Sequence, residues 1–321
     1  MKICIVGAGA TGGYLGAKLI NSGYDVTLVA RGLHLETMKK KGLKIIENNN
    51  EIICFPKCTD SIEEIDKMDY VFITLKTYSI STIIKKISKM FHENTAVITA
   101  YNGVPWWYFY NTLDKLNNYQ IKCVDPDNIQ WNTITPERII GCVVYPATEM
   151  IKPGVINHIE GTRFSLGEPS GIKSERITKL SKILFNSKLK APIRQNIREE
   201  IWMKLIGNLV FNPMSVITEE TLDTLLSKEE NRKRAYSAMQ EATLIMNELK
   251  IKLNVSIEQR IEGAAKVGAH KTSMLQDFEK GKKLELDSMI VAVKEIGDLV
   301  NIKTPTIDNI LKEVQEKINI K

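Results

Sequence analysis

The segment KICIVGAGATGGYLGAKLINSGYDVTLVAR, residues 2–31, constrains the fold more than any other part of the chain. Ile3–Val6 form a short apolar run that ends at a glycine. Tyr14–Ile20 then carry apolar residues at helical spacing until Asn21 and Gly23, and Val26–Val29 form a second apolar run. Strand, helix and strand in that order predict a βαβ unit. Gly7, Gly9 and Gly12 fall at its first turn in the pattern GxGxxG. Each glycine has a physical task there: Gly7 permits the tight turn, Gly9 lets backbone approach a pyrophosphate, and Gly12 lets helix and strand pack closely. The helix N-terminus supplies N–H groups to the phosphates. Residues Gly7, Ala8, Gly9, Ala10, Thr11 and Gly12 are therefore the expected dinucleotide site. The competing reading is a glycine-rich turn that binds nothing.

The end of the second strand discriminates between cofactors. A site for NAD places an acidic residue there to bind the ribose 2'-hydroxyl, and that carboxylate would repel a 2'-phosphate. This chain has Val29, Ala30 and Arg31 instead, which predicts NADP(H) with Arg31 on the 2'-phosphate. Two further apolar runs, Tyr70–Leu75 and Ala96–Ala100, read as buried strands followed by Lys76 and by Asn102–Gly103. Ligands of open parallel sheets lie beyond the carboxyl ends of the strands, so Lys76 and Asn102 are placed near cofactor or substrate, unless each only caps a loop. The aromatic run Trp106, Trp107, Tyr108, Phe109 and Tyr110 is read as core or interface in preference to an active-site wall. After Arg138, three strand-like segments are expected to extend the sheet as antiparallel members.

At 321 residues the chain is long enough for two domains, each with its own core. From Ser174 the pattern turns helical, and the stretch APIRQN at 191–196 marks a junction. The expected division is a Rossmann-type α/β domain over residues 1–192 and an all-helical domain over 193–321. The net charge of +6 comes from scattered lysines without a basic, aromatic-interleaved stripe, which argues against nucleic acid as a partner. No segment is long and apolar enough to span a membrane, and the apolar run near residue 1 is too short for a signal peptide. Cys4, Cys54, Cys58, Cys123 and Cys142 are odd in number and form no CxxC pair; reduced thiols in a cytoplasmic protein account for them. His34, His92, His158 and His270 stand apart in sequence, so no metal site is expected.

The helical half contains REEIWMKLIGNLVFNPMSVIT, residues 198–218. Lys204, Asn208 and Asn212 recur there every four residues, which sets them in one stripe on a helix that Pro213 is expected to end. Unpaired amides and ammonium groups are expensive to bury, so the stripe faces water, protein partners or a ligand. Farther on, Ser273 precedes a helical element, and Glu285 and Asp287 open another, where acidic residues ordinarily complement the helix dipole.

Seven segments in this order, GAGATGG, VAR, TLK, NGV, WMKLIGNLVFNPMS, TSMLQD and LELD, resemble the 2-dehydropantoate 2-reductase (ketopantoate reductase) family over nearly the whole chain. The resemblance implies NADPH-dependent reduction of ketopantoate to pantoate in pantothenate and coenzyme A synthesis. Lys204 matches the family's catalytic lysine, which polarises the carbonyl and supplies the proton, and Glu285 its acidic residue that positions substrate. Asn102, Asn208, Asn212 and Ser273 match substrate-binding residues; Gly7, Gly9, Gly12, Arg31, Lys76 and Asn102 match the cofactor side. A small-molecule 2-oxo acid is the implied partner, and a homodimer is left open as the assembly. Ser79 stands where members often have glutamine, the Trp106–Tyr110 run replaces a shorter loop, and HKT precedes Ser273 where others have asparagine. These departures keep in view a reductase of another 2-oxo acid; a separate alternative, an NADP-binding sensor without turnover, is disfavoured by the full set of Lys204, Asn208, Asn212, Ser273 and Glu285.

Overall fold

The computed structural model describes residues 1–112, 115–253 and 255–320. It divides into two compact units: Met1–Tyr101 with Trp106–Gln120 and Asp127–Ile197, and Asn102–Pro105 with Ile121–Pro126 and Arg198–Lys321.

The first unit is an α/β fold. In chain order it contains β1 (Lys2–Val6), α1 (Ala10–Asn21), β2 (Asp25–Val29), α2 (Gly32–Lys41), β3 (Leu43–Glu47), β4 (Asn50–Cys54), β5 (Lys57–Thr59) and β6 (Met68–Ile73). It continues with α3 (Ile80–Ile87), β7 (Phe91–Thr99), α4 (Ile129–Ile134), β8 (Ile139–Val144), β9 (Ala147–Lys152), β10 (Val155–Glu160), β11 (Phe164–Gly167) and α5 (Glu175–Asn186). Seven strands form one sheet in the order β11-β8-β7-β6-β1-β2-β5, parallel throughout except for the β8–β11 pair. The chain leaves β1 toward β2 on one side and returns to β6 on the other, so the strand order reverses at β1. That reversal opens the crevice in which doubly wound sheets bind ligands.

The strand-like segments after Arg138 do not all extend this sheet. β8 is buried at every position and joins in parallel beside β7, and only β11 is antiparallel. β9 and β10 instead leave to form a second sheet in the order β4-β3-β10-β9. The division follows burial. IIGCVV in β8 is apolar on both faces, as a central parallel strand requires, whereas β9 and β10 each end in exposed positions and carry polar residues.

Helix α1 lies between the two sheets, and its glycines make that possible. A Cβ on Gly12 would come within 2.3 Å of the Gly7 carbonyl oxygen, and one on Gly16 within 2.5 Å of Leu28; one on Gly13 would meet Ile156 of the second sheet at 2.4 Å. A polar clasp closes the second-sheet side: Tyr14 Oη donates to Glu47 Oε1 at 3.0 Å and Lys18 Nζ lies 2.6 Å from Glu47 Oε2. The aromatic run packs as core. Trp106, Trp107, Tyr108 and Phe109 are each at most 2% exposed. The Trp107 indole N–H donates to Thr99 Oγ1 at 2.9 Å, and its ring lies so close to Gly141 that a Cβ there would be 2.7 Å away.

The second unit is helical: α6 (Ile197–Thr218, whose first residue belongs to the first unit), α7 (Leu222–Ser227), α8 (Glu229–Glu248), α9 (Ile257–Ala265), α10 (Ser273–Glu279), α11 (Ala292–Leu299) and α12 (Pro305–Ile320), with a π-helical turn at Asp287–Val291 leading into α11. Helix α6 does not end at Pro213 as expected. An internal proline deprives the Leu209 carbonyl of its donor, an effect of about 3 kcal/mol in a helix interior. Burial of Met214, Ser215 and Val216 holds the last turns in place, and the Ser215 hydroxyl donates to the Asn212 carbonyl at 2.7 Å. No helix among the described residues is long and apolar enough to cross a membrane.

If Trp107 is core, Trp107→Ala removes a large buried ring and should lower unfolding free energy by about 3–5 kcal/mol in urea titrations. A loss below about 1 kcal/mol would show that the site collapses around the cavity or that the indole is not packed.

Candidate active site

The glycine-rich turn begins where β1 ends. Gly7 adopts φ +107°, a conformation L side chains rarely reach, and the N–H groups of Gly7 and Ala8 both donate to the Val29 carbonyl, at 3.1 and 2.9 Å. The Gly9 N–H turns back to the Gly7 carbonyl at 2.6 Å, and the Gly13 N–H makes the first intrahelical bond, to Gly9. Ala10, Thr11 and Gly12 are thus the first-turn residues of α1, whose N–H groups precede any intrahelical acceptor. The N-cap Gly9 contributes no side-chain cap and the first turn has no acidic residue. Above Gly9 the space is open, the nearest atom to an added Cβ being the Gly7 oxygen at 4.0 Å. Three adjoining donors, positive helix-dipole potential and open space are what a pyrophosphate requires. Sequence reasoning missed the supporting residue Thr74. Its hydroxyl lies 2.7 Å from the Gly7 oxygen, to which it donates, and 3.2 Å from that of Val6, beyond the carboxyl end of β6. A hydroxyl one residue past an apolar strand is too common a pattern to have identified it.

Arg31 is the N-cap of α2, exposed, with its guanidinium bonded to no other side chain among the described residues. That helix also begins without a side-chain cap and without an acidic residue in its first turn. Lys76 follows β6 and is half-buried at the start of the short 3-10 turn Thr77–Ser79, where the Ser79 N–H donates to the Lys76 carbonyl at 2.9 Å.

The remaining candidates lie in the second unit. Lys204, Asn208 and Asn212 occupy successive turns of α6, as the four-residue spacing requires. Lys204 Nζ donates to Asn102 Oδ1 at 2.7 Å, the interaction that joins two candidates drawn from distant parts of the sequence. Asn102 is held from the other side. Its neighbour Gly103 has φ +91° and approaches the π-turn so closely that a Cβ would lie 2.5 Å from the Ser288 carbonyl oxygen, while the Val104 N–H donates to that oxygen at 2.7 Å. Asn208 is half-buried, and its carboxamide makes no hydrogen bond among the described residues. Asn212 is buried, with Nδ2 3.6 Å from Met289 Sδ of the π-turn.

Ser273 is the exposed first residue of α10, and Glu285 is buried just before the π-turn. The residue preceding Ser273 had no assigned part, yet Thr272 caps α10 by accepting from the Leu275 N–H at 3.1 Å and shares a 2.7 Å hydrogen bond with Ser215 of α6. The hydroxyl pair fixes the helix start that carries Ser273 to the helix that carries the Lys/Asn stripe. Threonine three residues ahead of a buried leucine was a legible N-cap signal. The cap also explains how HKT can stand before Ser273.

Residues 3–171 match the family model described as Ketopantoate reductase PanE/ApbA, and residues 196–318 match the one described as its C terminal. The chain is similar to a 2-dehydropantoate 2-reductase of Mesorhizobium japonicum, with 46% identity over 316 residues, 98% of this chain and 97% of the relative. Among solved structures, one from Ralstonia solanacearum aligns with a TM-score of 0.95 and 33% identity, covering 100% of this chain and 98% of that one. The 2-dehydropantoate 2-reductase from Geobacter metallireducens aligns with a TM-score of 0.87 and 25% identity, covering 98% and 99%. Both halves of the chain match the same family, one relative does so over nearly its full length, and the chain belongs to the ketopantoate reductase family.

Proposed function

We propose that the protein reduces 2-dehydropantoate to pantoate with NADPH, with Lys204 as the proton donor. The observation that carries the mechanism is the Lys204–Asn102 hydrogen bond of 2.7 Å. An ammonium group has three N–H donors, and anchoring one on a carboxamide oxygen directs the other two. The ammonium group held in this way can polarise a carbonyl oxygen and then protonate it.

The residues around the glycine-rich turn fit a phosphorylated dinucleotide. The N–H groups of Ala10, Thr11 and Gly12 suit the pyrophosphate, and the uncommitted Arg31 at an uncapped helix start suits a 2'-phosphate. A carboxylate in place of Arg31 would repel that phosphate. Lys76 adds a second cation beyond β6. When bound, the reduced nicotinamide supplies the hydride.

Reduction at C2 would place negative charge on the substrate's carbonyl oxygen. Lys204 gives that oxygen a proton, leaving its amine neutral until water restores the charge. Asn208 and Asn212 are neutral groups that orient the 2-oxo acid without opposing the charge on Lys204. Ser273 offers a hydroxyl to the substrate carboxylate, and buried Glu285 accepts from the substrate hydroxyl. Asn102 serves both by holding Lys204 and by its position on the loop that follows β7. The five cysteines are free thiols, which suits a reducing compartment such as the cytoplasm. The alternative of a bulkier 2-oxo acid drew on the aromatic run, and that run is buried at Trp106–Phe109, which leaves 2-dehydropantoate as the reading with more support.

NADPH absorbance followed across a panel of 2-oxo acids should show turnover of 2-dehydropantoate above all others; no consumption with any acid would sink the enzymatic reading. Lys204→Ala should lower kcat by about 10²-fold or more, the scale of losing acid-base catalysis, with NADPH binding kept. An unchanged kcat would remove Lys204 from the chemistry. Arg31→Asp should shift the ratio of kcat/KM values toward NADH, and a retained NADPH preference would mean that another group reads the 2'-phosphate.

A further inference from the structure

His34 lies in the first turn of α2, half-buried, with both ring nitrogens engaged by backbone. The Gly154 N–H meets Nδ1 at 2.9 Å, and Nε2 lies 2.7 Å from the Ala8 carbonyl oxygen. A backbone N–H can only donate and a carbonyl can only accept. Nδ1 must therefore present a lone pair and Nε2 its proton, which is the neutral imidazole in one tautomer. Burial lowers the pKa of His34 and favours that neutral form against the opposing pull of the Ala8 carbonyl.

The Ala8 carbonyl belongs to the same peptide group as the Gly9 N–H, which donates to Gly7 at 2.6 Å. That peptide plane is thus held at both edges, by the chain's own turn on one and by His34 on the other. Gly9 has no side chain to hinder rotation of that plane, and the nearest atom to a Cβ added there would be 4.0 Å away. Reversal of the plane would turn a carbonyl oxygen toward the first-turn N–H groups of α1, where it would repel a phosphate. The brace is itself anchored. Gly154 sits at φ +76° between β9 and β10, so near α2 that a Cβ would come within 2.5 Å of Thr37 Cγ2, and its carbonyl accepts from the Lys44 N–H at 2.8 Å.

We infer that His34 is a positioning residue for dinucleotide binding: its Nε2–H fixes the Ala8–Gly9 peptide so that the N–H groups of Ala10, Thr11 and Gly12 stay open to the pyrophosphate. The inference rests on the reading of the glycine-rich turn as the pyrophosphate cradle. It gives the second sheet a part in cofactor binding, through the β9–β10 turn.

Three variants of the full chain test it, with NADPH affinity read by fluorescence titration beside steady-state kinetics. His34→Ala should raise the Kd and KM for NADPH about tenfold, the scale of one lost hydrogen bond at a binding loop, and leave kcat at saturating NADPH and the KM for the 2-oxo acid within about twofold. His34→Gln places an amide N–H near the position of Nε2 and should restore NADPH affinity to within about threefold of wild type. His34→Asn, which can accept from Gly154 but falls short of Ala8, should behave like the alanine variant. Wild-type affinity in His34→Ala would overturn the inference, as would equal losses in the alanine and glutamine variants with a lowered melting temperature, the mark of packing alone. A wild-type protein that binds no nicotinamide dinucleotide would overturn the cradle reading itself, and the role of His34 with it.

Discussion

The α/β unit depends on how closely α1 can approach the strand ends beneath it. At Gly12 that approach leaves 2.3 Å between a would-be Cβ and the Gly7 carbonyl oxygen, a distance no side chain tolerates. The same contact has three consequences. It seats the helix against the central sheet, it aims the helix N-terminus beyond the carboxyl ends of β1 and β6, and it sets there the N–H groups of Ala10, Thr11 and Gly12, which have no intrahelical acceptor. Fold and phosphate-binding potential arise from one steric allowance, and Gly13 and Gly16 extend it by letting α1 fit between two sheets.

In the helical unit the corresponding constraint is the continuity of α6 through Pro213. Because the helix carries on, Ser215 stays in register with Asn212 and reaches Thr272, the cap of the helix that begins at Ser273. The loop with Asn102 is positioned by a separate device, the close approach of Gly103 to the π-turn, and the turn also carries Met289 against Asn212. π-turns gather at functional sites because an extra residue re-aims the side chains on either side of it. Here the turn begins two residues after Glu285, and it meets Gly103 and Val104 beside Asn102 through Ser288 and Asn212 through Met289.

Much of this was legible in the sequence, and the reasons are local. The βαβ unit announces itself because strand, glycine turn and helix are contiguous, and the Lys204, Asn208 and Asn212 stripe because four-residue spacing has one meaning on a helix. The aromatic run was read as core or interface because such runs usually are, and Trp106–Phe109 are buried. Other features depend on partners far away in sequence. Nothing in NGV shows that Asn102 meets Lys204, 102 residues later. The division of the strands after Arg138 between two sheets turned on which faces were covered, and the passage of α6 through a proline turned on the burial of Met214 and Val216, and neither is visible in a propensity. His34 looked isolated because both its partners are backbone groups, 26 and 120 residues distant.

The central claim is that Lys204, held by Asn102, delivers the proton to the oxygen on C2. A crystal structure of the complex with NADP+ and pantoate tests it most directly. The account predicts Lys204 Nζ at about 3 Å from the pantoate C2 hydroxyl oxygen with its bond to Asn102 retained. A pantoate hydroxyl held by some other acid, with Lys204 turned away from it, would contradict the account.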